Sequence, residues 1–575
     1  KEELLVRSQF ARTGATNKGT ERWFQRSNQI AFIYTIGFNA SSALVNLSQI
    51  PLVVLPFMSG KFGLDASLKA LTGAGKFVGN SGVSIDEYYD INGGIYTLKA
   101  SVEKKIRAAH DNKADADKAV AGYIDRIPLV KLANDRGQIY HSEIKDQLRA
   151  GERTSKNPAL RFLDMTSAAS AVMFSAAERL NRQTTLVMSY DLVLDKMNSE
   201  KKYYSARQGK FIPVPSDSET KKALAAEEAL YLTQETNGGS VLETAAGYSQ
   251  QGLGRVALMY KSYGLQMYYS MFKAGKMYID NIGGKDAESV QLKKMARDQL
   301  VGVHLSALFF AGVQGVPLYG AVTMLVDMFF LDDEEDDADT LVRKYLGEGW
   351  YKGAVTELTG ADIAGRVRLT GLLLQENRFN KDPSLEENIG FYLGGPALST
   401  ANRLYRGMKD LRDGEMERGL ESMAPAGLTN AWRSTLGRFA REGGIQTRRG
   451  DPIYDDMTFG DFAAQALGFP PAEYTFRQEQ TARNKGIEAA VTERRTNLTK
   501  KYYIALRMGD YETAQEMVDG MAEFNKRHPE AAITAETVRK SMNSHMKTSA
   551  TMHNGVTVSP LMKYAIAKSN SEYRQ

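Results

Sequence analysis

The chain has 575 residues, a net charge of +5 at pH 7 and no cysteine. A chain without cysteine has no disulfides, thiolate metal sites, iron–sulfur clusters or thiol nucleophiles. The near balance of 73 basic and 68 acidic residues does not demand a nucleic-acid partner. The mean hydropathy of −0.37 excludes a protein that lies in the membrane along its whole length. The chain begins with Lys1 rather than methionine, so we expect it to be part of a longer protein.

Apolar residues recur at spacings of three and four along most of the chain, and proline is scarce. One such stripe consists of Phe162, Met165, Ala169, Val172, Ala176, Leu180 and Val187. This spacing is typical of an amphipathic helix, and Glu178 and Arg182 are spaced to pair on its surface. The sustained alternation typical of strands is not visible. The sequence therefore predicts an all-α fold, an elongated assembly of many helices.

Two stretches, residues 27–60 and residues 299–326, lack charged side chains, and the second continues through an apolar end at residue 331. A helix needs about 20 apolar residues to cross a bilayer, so both are long enough. Two interpretations are open: helices buried in a large core, or conditional membrane insertion with Pro317 at a hairpin turn. The residues predicted to contact a membrane or another subunit are Ile50, Leu52, Val53, Val54, Leu55, Phe57, Leu305, Leu308, Phe309, Phe310, Leu318, Leu325, Phe329 and Phe330.

An acidic run at residues 332–339 follows the second apolar stretch and predicts a solvated linker, because closely spaced like charges repel. The run lacks the glycine and the terminal glutamate of a calcium loop. It suggests a division into four regions. These are residues 1–150, residues 151–340, a helical region at 341–470 and a C-terminal helix pair with a tail at 471–575.

The C-terminal region has clear helix boundaries. We expect one long helix from about Ala472 to Met508, with Gly509 as its left-handed cap and Asp510 as the next N-cap. His528 and the following proline end the second helix. From about Ser544 the periodicity is lost, which predicts an extended tail.

No motif points to a reaction or a bound cofactor. The six histidines lack the HExxH spacing of a zinc site, and no phosphate loop is complete. We therefore predict no catalytic, cofactor-binding or metal-ligating residues in this chain. Aromatic and basic residues at Tyr260, Lys261 and Tyr263 favour DNA or partner contact if exposed, or ordinary packing if buried. The basic residues Arg433, Arg438, Arg448 and Arg449 allow the same contact or a solvated face.

Several short segments resemble the giant internal virion proteins of short-tailed bacteriophages. They are residues 38–49 (FNASSALVNLSQ), 177–182 (AERLNR), 256–263 (VALMYKSY), 424–430 (APAGLTN), 443–450 (GGIQTRRG), 467–471 (LGFPP), 509–510 (GD) and 524–525 (FN). The segments at 424–450 are similar to the family's polyvalent-protein-associated region. The resemblance extends over about residues 30 to 540.

The resemblance implies a DNA-ejection protein that is stored in the capsid or tail lumen. Such proteins leave through the tail before the genome and help to form a conduit across the periplasm and inner membrane. The implied partners are further copies of the chain, other ejection proteins, the portal or tail tube, the host inner membrane and, weakly, phage DNA. A transglycosylase or virion RNA polymerase, where present, lies upstream, so this chain would be the C-terminal structural region.

Two alternatives remain open at this point. One is a soluble internal scaffold of the capsid or portal without membrane activity. The other is a non-catalytic part of a cell-wall hydrolase or of a virion RNA polymerase. The absence of cysteine agrees with passage through an oxidising periplasm, where free thiols would crosslink, and equally with chance depletion.

Overall fold

The computed structural model describes residues 20–80, 89–92, 95–136, 157–237, 262–330, 337–368, 385–447, 450–550, 552–553 and 556–557. Within these ranges the chain is helical, and its strands form only short two-stranded antiparallel hairpins. The prediction of an all-α fold is confirmed. Of the predicted DNA or partner residues, Tyr260, Lys261, Arg448 and Arg449 lie outside the described residues, and so does the side chain of Tyr263.

The helices up to residue 136 are α1 (Thr20–Thr35), α2 (Ala40–Leu47), α3 (Leu55–Phe62), α4 (Leu64–Gly75), α5 (Ala100–Ala108), α6 (Lys113–Ile124) and α7 (Ile127–Asp135). A π-helical turn, Ile50–Val54, joins α2 to α3, and a second, Lys76–Asn80, follows α4. The first hairpin pairs β1 (Tyr89–Asn92) with β2 (Ile95–Leu98).

The elements from residue 157 to 330 are α8 (Pro158–Ser170), α9 (Val172–Ser199), β3 (Lys202–Ser205), β4 (Lys210–Pro213), α10 (Ser218–Asn237), α11 (Ser262–Asp280), α12 (Ala287–Ala311), a 3₁₀ turn (Val313–Gly315) and α13 (Tyr319–Phe330). Strands β3 and β4 pair from Lys202 with Pro213 to Ser205 with Lys210.

The elements from residue 338 to 467 are α14 (Ala338–Leu346), α15 (Glu348–Lys352), α16 (Ala354–Thr359), α17 (Ala364–Val367), α18 (Leu385–Arg412), α19 (Met416–Met423), α20 (Ala426–Thr435), α21 (Arg438–Glu442), β5 (Ile445–Gln446), β6 (Pro452–Tyr454) and α22 (Phe459–Leu467). The remaining elements are α23 (Ala472–Met508), α24 (Tyr511–Arg527), a 3₁₀ turn (Pro529–Ala531), α25 (Ala535–Ala550), β7 (Met552–His553) and β8 (Val556–Thr557).

The described residues form two compact units. The first unit consists of the described residues within Lys1–Met324, Leu341–Asn377 and Pro383–Arg477. The second unit consists of the described residues within Leu325–Thr340 and Gln478–Gln575. The four-region division stays a prediction. Most of the acidic run, residues 332–336, lies outside the described residues. On either side of it, the Asp327 side chain accepts a hydrogen bond from the Ala338 amide over 2.6 Å.

Helix α9 lies at the centre of the first unit, where it packs against α2, α4 and α10. Its Leu186, Val187, Met188, Tyr190 and Val193 are almost fully buried and belong to the largest apolar cluster. Burial of one such side chain contributes about 1.5–3 kcal/mol, so this helix is a main source of the unit's stability.

Most of the predicted apolar stripe on α8 and α9 faces away from the core, and only its last residue, Val187, is fully buried. Phe162, Met165 and Val172 are 72%, 64% and 64% exposed, and the stripe is broken into two helices at Ala171. The buried side of α8 is polar instead. Its Asp164 pairs with Arg26 of α1, so the stripe faces outward because its polar side meets polar partners.

Glu178 and Arg182 do pair, but the prediction that they do so on the surface is wrong. The Arg182 Nη2 and Glu178 Oε1 atoms are 3.0 Å apart, and both side chains are about nine-tenths buried. The cause lies in the N-terminal part of α9, where Glu178, Asn181 and Arg182 are buried while Val172 and Leu180 are exposed.

The prediction of two apolar helices long enough to cross a membrane is wrong for the second stretch. In the described part of the chain, only the helical run Ala40–Phe62 has the length and composition for this. The second stretch breaks after Ala311, where Gly312 has φ +66°, and helix resumes at Tyr319. Helix α12 is long enough to cross a membrane but is charged in its first half, and α13 is apolar but has only 12 residues.

The long C-terminal helix is confirmed over Ala472–Met508, followed by Gly509 at φ +74°. The Asp510 side chain accepts a hydrogen bond from the Thr513 amide and caps the next helix, which ends at Arg527 as predicted. In the second unit, Phe524 is fully buried against neighbours from α23. The prediction of an extended tail from Ser544 is wrong for residues 544–550, because α25 continues to Ala550.

Candidate functional site

Helix α2 carries one of the segments on which the phage resemblance rests, and the segment on α9 contacts it directly. The Asn181 side chain donates from Nδ2 to Oδ1 of Asn46 over 2.9 Å, and both residues are buried. A buried amide pair of this kind fixes the register of the two helices, since a slip would leave its polar atoms without partners.

Two further segments of the resemblance meet the start of α2. Gly427 of α20 packs on the backbone of Phe38 so closely that a Cβ there would lie 2.1 Å from the Phe38 carbonyl oxygen. Gly468, with φ +98°, lies beside the side chains of Asn39 and Ser41. We call the contacts of α2 with Asn181, Gly427 and Gly468 the motif junction. Segments that are far apart in the sequence thus pack together around α2.

The predicted membrane or subunit contacts divide between interior and surface. Leu52, Val53, Val54 and Phe57 are buried, and Ile50, Leu55, Leu308 and Phe310 are half-buried. The exposed ones are Leu305, Phe309, Leu318, Leu325, Phe329 and Phe330. Within the run Ala40–Phe62, less than half of the most apolar window is buried (44%). One such run is also typical of a core helix in a soluble protein, so membrane contact stays a prediction.

Among the predicted DNA or partner contacts, Arg433 and Arg438 are engaged inside the protein. The Arg433 Nε atom lies 2.7 Å from Oε2 of the buried Glu421, and Arg438 Nη2 lies 3.4 Å from the same oxygen. Both guanidinium groups also face the Phe439 ring. Since each arginine already has a carboxylate partner, a free basic face is not formed by these two residues, and DNA contact stays a prediction.

An ionisable cluster that the sequence did not indicate lies at the end of α3. Lys61 points beneath the β3–β4 hairpin, with its Nζ atom 5.3, 5.0 and 5.7 Å from the rings of Phe62, Tyr203 and Tyr204. The Nζ atom is buried, and no hydrogen-bond acceptor reaches it among the described residues. Burial lowers the pKa of Lys61 from 10.5 to about 8, while Glu228 acts in the opposite direction.

Two buried glutamates of α10 accompany this lysine, and each has its own partners. Glu228 accepts from the Ser205 hydroxyl and from the Ala206 amide, the latter over 3.1 Å. Glu235 Oε1 lies 2.6 Å from Nζ of Lys273 on α11. Burial alone would lower the pKa of Lys273, but the Glu235 carboxylate reverses the effect and raises it. Lys273 is therefore held inside the cluster by an ion pair.

Tyrosines complete the cluster. Lys273 Nζ donates to the hydroxyl of Tyr231 over 3.1 Å, and burial raises the pKa values of Tyr203, Tyr204 and Tyr231. All three phenols are therefore neutral at physiological pH. The arrangement holds two ammonium groups and two carboxylates, so it is close to electrically neutral. The signal in the sequence was only a lysine at the end of an apolar run, which gives no hint of its partners.

The geometry offers no grouping for metal binding. In the parts of the chain that the structure describes, no three histidine, aspartate or glutamate side chains come together to hold an ion. The Lys61 cluster has the perturbed pKa values that are common at functional sites but equally at structural ion networks.

Comparisons with protein families, with curated proteins and with solved structures find nothing that matches this chain.

Proposed function

We propose that this chain is the non-catalytic region of a phage ejection protein, stored in the virion interior and assembling into or supporting a conduit for the genome. In this proposal it acts after ejection in the host periplasm and inner membrane. Its partners are further copies of itself, other ejection proteins and the portal or tail tube, with weak contact to phage DNA. The segments that resemble the family support the proposal, and four of them meet at the motif junction.

The single observation that carries the proposal is the outward-facing apolar stripe of α8 and α9. It presents Phe162, Met165, Val172 and Leu180 at helical spacing on the surface. Phe162 and Met165 lie on α8, and Val172 and Leu180 lie on α9, so the exposed residues continue on both sides of the break at Ala171. Contiguous exposed apolar surface of this kind marks contact with another protein or with lipid. A chain whose work is assembly needs such a surface.

A soluble internal scaffold is the second candidate, and one observation favours it. Leu52, Val53, Val54, Phe57 and Met58, at the apolar centre of the Ala40–Phe62 run, are buried in the first unit. Their insertion into lipid would require this part of the core to open. The scaffold candidate shares the apolar stripe and differs only in lacking membrane activity.

The double variant Phe162→Asp/Val172→Asp tests the role of the stripe. Because two charges in an apolar contact remove its driving force, we expect self-association to weaken at least about tenfold. We also expect release of dye from anionic vesicles to be lost. Sedimentation velocity and vesicle flotation with the full chain measure the two effects.

The matched control is Leu358→Asp/Phe459→Asp, which places two charges at residues that are 81% and 90% exposed and lie on other helices, α16 and α22. It should behave like the wild type in both assays. Unchanged association of the stripe variant would overturn the role given to α8 and α9. Intact association with no vesicle binding at any pH or salt concentration would favour the scaffold over the conduit.

A further inference from the structure

The outer face of α18 carries three positive charges near the C-terminal end of the helix. Arg406, Lys409 and Arg412 are exposed, and Tyr405 beside them is 66% exposed. Gly407, on the other side of the helix, is buried against α19, where a Cβ would lie 2.9 Å from a carbonyl oxygen of that helix. At about 100° per residue, the four exposed side chains lie within about 120° of one another around the helix axis. We call them the α18 cationic face.

The three cations of this face have no carboxylate partner among the described residues. The nearby acidic side chains are placed otherwise. Asp410 is buried on the inner side of α18, and Glu415 lies 3.7 Å from Arg418 of α19. Asp413 is exposed just after the helix and pairs with none of the cations. The face therefore keeps a net positive charge that the first unit does not neutralise.

The helix itself gains little from this arrangement. Like charges three residues apart destabilise a helix, and the face contains two such pairs. Lys409 and Arg412 lie in the last turn, where a cation is favourable to the helix dipole, but Arg406 lies outside it. By contrast, the exposed Lys69 and Lys276 each pair with a carboxylate four residues away. The uncompensated charge therefore points to an anionic partner.

The tyrosine decides which anion fits the face. From Arg406 to Arg412 the helix rises about 9 Å, so the three cations can reach successive phosphates of one strand. The Tyr405 ring lies among them and stacks on no other ring in the part of the chain that the structure describes. Exposed aromatic rings among cations bind single strands, because the ring stacks on an unpaired base while the cations hold phosphates. An acidic peptide offers the ring no base, and a duplex keeps its bases inside.

We propose that the α18 cationic face binds single-stranded nucleic acid. Arg406, Lys409 and Arg412 contact backbone phosphates, and the Tyr405 ring stacks on one base. None of the residues that the sequence predicted to contact DNA belongs to this face. The proposal gives residues to the DNA contact in the proposed function, but it stands without the ejection role because it requires only this exposed face.

The test measures fluorescence anisotropy of a fluorescein-labelled 15-nucleotide thymidine strand with the full chain at several salt concentrations. We expect a dissociation constant of about 10 μM at 50 mM NaCl. The triple variant Arg406→Gln/Lys409→Gln/Arg412→Gln should bind at least about tenfold more weakly. Lys409→Gln alone should lower the slope of log affinity against log salt by about 0.7, because one phosphate contact is lost. Tyr405→Ala should weaken binding at least about fivefold and leave the slope unchanged.

The matched control is Lys69→Gln/Lys202→Gln/Lys276→Gln, which removes the same charge from exposed lysines that have carboxylate partners. It should bind the strand within about twofold of the wild type. An equal loss in this control would overturn the proposal, and so would unchanged binding by Tyr405→Ala. Self-association of the triple variant should match the wild type in sedimentation velocity, so failure here is distinct from failure of the stripe on α8 and α9.

Two comparisons use only the wild-type chain and do not depend on any variant folding. A 15-base-pair duplex and polyglutamate of equal charge should each bind at least about fivefold more weakly than the single strand, because neither offers an unpaired base to the Tyr405 ring. Equal affinity for either competitor would reduce the face to a general site for polyanions and overturn the proposal. Absence of strand binding at 50 mM NaCl would do the same.

Discussion

Replacing Gly427 with alanine will lower the free energy of unfolding of the first unit by about 3 kcal/mol. The added Cβ would lie 2.1 Å from the Phe38 carbonyl oxygen, 2.5 Å from its carbonyl carbon and 2.7 Å from the Asn39 Cα. All three are backbone atoms, so no side chain can move aside. The start of α2 must therefore separate from α20, which opens the motif junction. Chemical denaturation followed by circular dichroism measures the loss.

The matched control is Gly73→Ala in α4, where a Cβ would meet nothing within 4 Å. There the same substitution should stabilise the unit by up to about 1 kcal/mol, because alanine is the better helix former. Equal effects of the two substitutions would show that the close approach at Phe38 does not exist in solution. A loss of unfolding free energy at Gly427 alone would instead show that the segments meeting at the motif junction stabilise the first unit through this close packing.

Replacing Lys61 with methionine will stabilise the first unit by about 2 kcal/mol at pH 7. Burial lowers the pKa of Lys61 from 10.5 to about 8, so holding the charged form inside costs about 3 kcal/mol. Loss of the contacts with the aromatic rings offsets about 1 kcal/mol of the gain. Glu228 and Glu235 keep their other partners, so the substitution leaves neither carboxylate without a hydrogen bond.

The pH dependence of this gain gives a sharper test. The folded pKa of Lys61 lies below the unfolded one, so its cost is complete below about pH 8 and fades as the pH rises toward 10.5. The difference between variant and wild type should therefore shrink between pH 7 and pH 10. Denaturation curves at both pH values measure it.

Lys69→Met in the neighbouring helix is the control, because Lys69 is largely exposed and paired with Asp65. It should leave the free energy of unfolding close to the wild-type value at either pH. If Lys61→Met lost stability at pH 7, the attraction between the Lys61 ammonium and the two glutamates would exceed the cost of burying its charge. That result would contradict the dominance of burial at this site.

The C-terminal helices were predictable almost to the residue because the signals that bound them are local. A left-handed glycine at Gly509 and a capping carboxylate at Asp510 act within one helical turn. The end at Arg527 before the following proline has the same origin. The continuation of α25 to Ala550 escaped prediction, because its apolar spacing is weak there.

The orientation of α8 and α9 could not be predicted from their own residues. An apolar stripe normally faces a core, but here the neighbours are polar: Arg26 pairs with Asp164, and Gln29 donates to the same carboxylate over 3.0 Å. The face that is buried depends on what the chain brings opposite it. The outward stripe, and with it the main support for an assembly role, therefore appears only in the folded chain.

The sequence by itself determined the all-α class, the absence of thiol chemistry and many helix boundaries, since these follow from composition and from interactions between near neighbours. Only the tertiary structure decided which apolar residues stay on the surface, that Arg433 pairs internally, and that Lys61 lies among aromatic rings. The contact of Asn181 with Asn46 joins residues 135 positions apart. Burial, ionisation and cavities depend on such distant neighbours, because desolvation is set by everything that surrounds a group and not by its place in the chain.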